Sequence, residues 1–417
     1  MPNYLKQILH TQLFSILNIL FGFITLFILI KYMYVSEYGE YVLIQGFIAL
    51  AGLIFSQNLY SYTRLYIPGA KKDKQYAYLK TVIIIVFSVY FAIIILLKIF
   101  NLEGIIWSFF EINMNLTHLA LIMLGLELIN LEFIRFFIVI KKIYLKNYIQ
   151  FFQKLFILIS ISLLLYFNNL TLMNFLYIFI FGQILVLISL MMAINFKELL
   201  YSRFMIDVVK KGYYVAIPLL PIGLMSIALN YTDTLMIAKF VDKEAVAQYG
   251  FASQIVAIAM MMIGSSIVLT LFPYATEAHN KNDIKTRTDF FIKMYKYGAI
   301  LALIFYLLIG LGSNYFINLL DLTKYNNVSS FLYVLAIFPF FQLLYSVSSH
   351  YLQLLKVFNI QVYIAFFVII INIILNYFAI KQYGTIGAAY ASLCAYILLA
   401  GIYLLISFRK NSSIKKG

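Results

Sequence analysis

Cysteine is almost absent from this 417-residue chain. Its single Cys394 allows no internal disulfide and, lying in an apolar segment, leaves no thiolate metal cluster to find. Charge is scarce too: 11% of residues are Asp, Glu, Lys or Arg, against about 25% in ordinary soluble domains. The four histidines (His10, His118, His279 and His350) make no i, i+4 pair and have no carboxylate at zinc-ligand spacing, so no metal motif is read. There is no G-x-x-x-x-G-K-[ST] phosphate loop, and no connection is long enough for a separate catalytic or nucleotide-hydrolysing domain. These absences argue against an enzyme and against an ATP-driven pump.

What the chain has is hydrocarbon: 64% of its residues are hydrophobic and the mean hydropathy is +0.94. A helix needs about 20 mostly apolar residues to cross a bilayer. Twelve such runs are present, at 8–31, 39–61, 79–99, 116–139, 148–167, 172–194, 214–239, 245–271, 293–312, 328–349, 357–380 and 385–408. The first is too long for the apolar core of a signal peptide and has no small-residue cleavage site, so it reads as a spanning helix. The expected fold class is an all-α polytopic membrane protein with twelve transmembrane helices.

The 31 Lys and Arg outnumber the 16 Asp and Glu, for a net charge of +15. With the N-terminus inside, 23 of the 31 fall in cytoplasmic loops or termini and 6 on the opposite side. By the positive-inside rule this predicts that both termini are cytoplasmic and that the helix count is even. The basic excess is thus topogenic and is no sign of nucleic acid. The most polar connection, 197–212, divides the chain into an N-terminal lobe (1–196), a cytoplasmic linker (197–212) and a C-terminal lobe (213–417), each lobe with six helices. Weak internal similarity supports duplication: Tyr38-Gly39-Glu40-Tyr41 opens the second span and Gln248-Tyr249-Gly250 the eighth.

Ionisable side chains inside spans are costly unless they face a cavity or a partner, which makes each a functional candidate. Glu127 lies mid-way along the fourth span, where a buried carboxyl would suit a protonatable coupling site. Glu132 and Arg135 follow at i, i+3, a spacing that allows a pair on one helix face. Lys154 lies too deep in the fifth span to snorkel comfortably and could answer Glu127 or Glu132, or bind an anion. Arg64 marks the inner end of the second span, as an interface residue or as the lip of an anion-binding cavity. Asp233 stands in a polar cluster with Asn230 in the seventh span. Pro218 and Pro221 are expected to bend that span, and Pro339 the tenth.

The second half carries a familiar pattern. Asp233-Thr-Leu-Met-Ile-Ala-Lys-Phe, Val246-Ala-Gln-Tyr249-Gly250-Phe-Ala252, Leu271-Phe272-Pro273, Asn376 and Gly384-Thr-Ile-Gly387-Ala388-Ala389-Tyr-Ala391-Ser392 resemble the Wzx-type polysaccharide-repeat flippases of the multidrug/oligosaccharidyl-lipid/polysaccharide exporter superfamily. Glu37-Tyr38-Gly39-Glu40-Tyr41 and Arg64 look like the matching signature of the first half. The resemblance implies two six-helix lobes around a central hydrophilic cavity in the bacterial inner membrane. It implies flipping of a polyprenyl-diphosphate-linked oligosaccharide, such as an O-antigen or capsule repeat unit, from the inner to the outer leaflet. Coupling to a Na+ or H+ gradient, no cofactor, and cooperation with a polysaccharide polymerase and assembly proteins are implied as well. By position Arg64, Arg135 and Lys154 match the family's basic, substrate-binding lining, with Glu127, Glu132, Asp233 and Asn230 as coupling or cavity residues. Many relatives have a basic residue after the seventh-span aspartate where this chain has Thr234, which fits a less acidic glycan. Two other readings remain open: a drug or cation antiporter of the same superfamily, and a membrane polymerase or glycosyltransferase.

Overall fold

The computed structural model describes residues 3–56, 59, 71–140, 142–281, 283–322, 324, 325, 327–355, 357 and 359–416. They are nearly all helical, because in hydrocarbon each backbone N–H and C=O must find its partner within the segment itself. Six long helices lie in the first half: α1 (Asn3–Tyr32), α2 (Val35–Ser56), α3 (Lys72–Ile99), α4 (Thr117–Val139), α5 (Ile143–Tyr166) and α6 (Leu172–Met192). Six follow in the second: α7 (Ile206–Phe240), α8 (Lys243–Asn280), α9 (Ile284–Phe305), α10 in two pieces (Val328–Leu335 and Phe338–Leu354), α11 (Asn359–Tyr383) and α12 (Thr385–Lys416).

Among the described residues ten helices are long and apolar enough to span a membrane. The other two expected spans fall on α1, apolar over Ile16–Tyr32, and on α4, whose Glu127, Glu132 and Arg135 dilute its apolar character. Outward-facing Phe91, Ile95 and Leu96 on α3, and Phe366, Phe367 and Ile370 on α11, are exposed, as a lipid-facing surface requires. The chain is a multi-pass integral membrane protein.

Polar side chains fix where the helices begin. Thr171 accepts the Asn174 amide at the start of α6, Asp242 the Ala245 amide at the start of α8, and Asp283 the Thr286 amide at the start of α9. Asn101 and Asn168, just past α3 and α5, both have φ 52°, and Gly384 closes α11 at φ 65°, the left-handed conformation that ends helices. The prolines act differently from one another. Helix α7 is assigned continuously through Pro218 and Pro221, as membrane helices can be when freed backbone groups are re-satisfied locally. Helix α10 is interrupted at Ala336 and Ile337, and Pro339 sits in the first turn after the break, where its missing N–H costs nothing. Helix α9 widens into a π-helical turn over Tyr306–Leu311.

The chain forms two compact units, Met1–Leu224 and Met225–Gly417, with the border inside α7. The 197–212 segment, expected as a linker, is folded. Asn195 caps a short helix, Phe196–Tyr201, and Lys72 Nζ on α3 lies 2.7 Å from Glu198 Oε1. Lys80 Nζ donates to the carbonyls of Leu200 (2.5 Å) and Ser202 (2.9 Å). In the first unit Tyr76, Phe133, Phe136, Phe137, Val186 and Leu190 form a core joining α3, α4 and α6. In the second, Phe291, Met294, Leu343, Val347 and Tyr351 join α9 to α10.

The units share one tie. In the first, Glu40 Oε1 on α2 accepts the Asn113 amide (2.7 Å) just before α4. In the second, Gln248 Oε1 on α8 accepts the Asn327 amide (3.2 Å) just before α10. These are the second and fourth helices of each half, and the residues belong to the two similar stretches that open the second and eighth spans.

Candidate functional site

The second unit gathers its polar residues around Asp233. The carboxylate is buried in α7 and accepts three side-chain donors from three other helices. Tyr249 Oη on α8 donates to Oδ2 at 2.5 Å, Asn376 Nδ2 on α11 donates to Oδ1 at 2.8 Å, and Ser392 Oγ on α12 reaches both oxygens at 2.6 and 2.8 Å. Asn372 Nδ2 donates in turn to Ser392 Oγ at 3.1 Å. All these donors are neutral, so they stabilise a negative charge in low dielectric without a permanent counter-ion. Asn376 Oδ1 is buried without a hydrogen-bond partner among the described residues, which leaves an acceptor beside the carboxylate.

The residues of this cage come from the motifs that carry the family resemblance, although only Asp233 stands out as a candidate from charge alone. A further signal lies in the sequence: Asn372 and Asn376 are one helical turn apart on an otherwise apolar span, with Ser392 on the next. Asn230 does not join them. Its side chain is exposed and donates back to the Ser226 carbonyl at 2.7 Å, one turn earlier on α7.

The first unit has a centre of opposite sign. Lys154 Nζ donates to the backbone carbonyl of Asn18 on α1 at 2.8 Å. It lies 2.9 Å from where a Cβ on Gly22 would stand, so the absent side chain at Gly22 makes room for the ammonium. Asn18 Nδ2 donates to the Asn147 carbonyl on α5 at 3.1 Å and completes the α1–α5 seam. No carboxylate lies within ion-pair distance of Lys154 among the described residues. It therefore answers neither Glu127 nor Glu132, since α5 directs it onto α1.

On α4, Glu132 and Arg135 form the i, i+3 ion pair that their spacing predicts, with Glu132 buried. Glu127 is half-buried and makes no ion pair or hydrogen bond among the described residues, so nothing joins it to Arg135. Arg64 lies outside the described residues. Among those described, no cluster of three or more His, Cys, Asp or Glu could hold a metal ion.

Comparison with known proteins agrees with this architecture. The MatE family model matches residues 218–378. An uncharacterized membrane protein of Methanocaldococcus jannaschii is 25% identical over 226 residues, which are 52% of this chain and 50% of that protein. The chain thus spans about half the length of the curated relative it matches. An inward-facing multidrug resistance MATE family transporter of the MOP superfamily superposes with a TM-score of 0.73 at 14% identity, covering 97% of this chain and 96% of its own. The lipid II flippase MurJ, in an inward closed conformation, superposes with a TM-score of 0.72 at 17% identity, covering 95% and 87%. The chain has the fold of these MATE family structures.

Proposed function

We propose that this protein flips polyprenyl-diphosphate-linked oligosaccharide repeat units from the cytoplasmic to the outer leaflet of the bacterial inner membrane by alternating access, driven by a Na+ or H+ gradient. Lys154 carries the reading. At 1.5 Å per residue it lies about 17 Å from either end of α5, too deep to reach the interface, and it faces a carbonyl instead of a carboxylate. A cation kept there at a cost of several kcal/mol is suited to an anionic group that enters the membrane interior. The diphosphate of a lipid-linked sugar is such a group, while its glycan needs a wet path because stripping hydroxyls of water is unfavourable. In this reading Arg64 and Arg135 add to the attraction, with Arg135 steadied by Glu132. Asp233 is the coupling carboxylate, whose neutral donors can yield to a proton or to a small cation. The termini lie in the cytoplasm, and the flipped lipid passes to a polymerase and assembly proteins.

A drug or cation antiporter is a second reading, favoured by one observation: the Asp233 carboxylate pairs with no basic side chain among the described residues, so an organic cation could claim it.

The test is to delete the gene, extract polyprenyl-linked oligosaccharides and label them from each face of the membrane. The flippase reading expects accumulation on the cytoplasmic face with loss of surface glycan. Normal surface glycan together with new drug sensitivity would support the antiporter instead.

A further inference from the structure

We propose that a cleft at one end of the second unit is a binding site for an uncharged sugar, separate from both the Asp233 cage and Lys154. The cleft has a volume of about 820 Å³ and lies where the π-helical turn after α9, the first piece of α10 and the α11–α12 turn converge. This size falls within the range of small-ligand pockets. Its polar lining consists of hydroxyls and amides, and no lining residue among those described is charged, in a chain of net charge +15.

The hydrogen-bonding capacity in the cleft is largely unspent. Ser313 Oγ is committed to the Ser329 carbonyl (3.3 Å) and Tyr333 to Tyr306. The side chains of Asn314, Ser330, Thr385, Tyr383 and Tyr390 make no hydrogen bond among the described residues. Tyr333, Tyr383 and Tyr390 are also 53%, 57% and 46% exposed, so their ring faces are open to a ligand. The backbone fixes two of these rings on the same cleft. Gly384 reverses the chain at φ 65°, and Gly387 comes so close to α11 that a Cβ there would lie 2.0 Å from the Ala379 carbonyl oxygen. Tyr383 and Tyr390 are held on either side of this rigid turn.

A pyranose ring matches this chemistry. It offers hydroxyls that both donate and accept, and an apolar C–H face that packs on an aromatic ring. A phosphate or a carboxylated sugar would call for Lys or Arg, and an organic cation for a carboxylate. The cleft offers none of these charges. The inference stands whether or not the chain moves a lipid-linked glycan, because it concerns recognition of the sugar alone.

The test uses the full chain in phosphatidylcholine nanodiscs, with saturation-transfer NMR reading contact to maltotriose, tri-N-acetylchitotriose and trigalacturonate. Transfer is expected to at least one neutral trisaccharide and not to trigalacturonate. Tyr390→Ala and Tyr383→Ala should each weaken it about fivefold, the scale of one aromatic stack. Tyr390→Phe, which keeps the ring, should retain it. Unchanged thermal unfolding of the alanine variants guards against misfolding as the cause. The inference is overturned if no neutral trisaccharide shows transfer and nanodiscs doped with a neutral galactolipid give no protection of 310–334 or 383–390 from hydrogen exchange. Binding that is indifferent to both alanine variants, or preference for trigalacturonate, overturns it equally. Transfer to the free trisaccharides supports a soluble glycan or chain end as ligand, and protection by the galactolipid alone supports a membrane-borne sugar.

Discussion

In the first unit the first and fifth helices, α1 and α5, meet around Lys154, and in the second the corresponding helices, α7 and α11, meet around Asp233. The two charges are coordinated very differently. The carboxylate is ringed by three neutral donors from three helices. The ammonium has three protons and one carbonyl partner among the described residues, so two of its N–H directions remain to be answered. The corresponding helix pairs of the two units thus hold one shielded charge and one under-coordinated charge. Under the proposed function the closed centre would serve ion coupling and the open one substrate capture.

The largest expected effect on transport tests the open centre. Lys154→Ala should lower transport of a diphosphate-linked substrate about 10- to 100-fold, the value of a charge-assisted hydrogen bond lost from the interior. Flipping by the purified protein in proteoliposomes measures this, and full activity would erase the functional half of the contrast.

Next is Arg135→Ala, which leaves the buried Glu132 carboxylate without its partner and should cost about 3–5 kcal/mol of stability. The double variant Glu132→Gln/Arg135→Ala should recover most of that loss in thermal unfolding. If the single variant unfolds like the wild type but fails to transport, Arg135 belongs with Lys154 as a substrate contact.

At the closed centre, Asp233→Asn should abolish the dependence of transport on an imposed Na+ or pH gradient. Asn376→Ala should cost about 1–3 kcal/mol by removing one donor from the buried carboxylate. A gradient response that survives Asp233→Asn would move coupling elsewhere, with Glu127 as the next candidate.

The smallest effects sharpen the comparison through glycine. Gly387→Ala would press a methyl onto a backbone carbonyl and should destabilise by about 1–3 kcal/mol, seen as a lower unfolding midpoint. Gly22→Ala meets only the end of the flexible Lys154 side chain. It should leave stability nearly unchanged while weakening transport, because it displaces the ammonium from its seat.

Much of the fold is legible in the sequence, and the sites are legible only in part. The Glu132–Arg135 pair follows from its spacing because both residues lie on one helix. The partner of Lys154 does not. A scan of charges suggests a carboxylate, whereas the actual acceptor is a main-chain carbonyl, available because residue 22 is glycine. Asn230 misleads too: at i, i+3 it neighbours Asp233 on α7, yet its amide is taken up by the Ser226 carbonyl. The contacts of the 197–212 linker with Lys72 and Lys80 on α3 are likewise not read from sequence.

The sequence by itself determined the helices and where they stop, since the thickness of hydrocarbon sets their length and the demand for internal hydrogen bonds leaves a spanning segment no other form. Tertiary structure alone decided which polar residues meet: Asn376 and Ser392 reach Asp233 across 143 and 159 positions, and Lys154 reaches Asn18 across 136. In a soluble protein the apolar stripe of each helix would reveal which face turns inward. Here lipid and core are equally apolar, so the rotation of each helix is set by packing against its neighbours, and the pairing of charges follows from that.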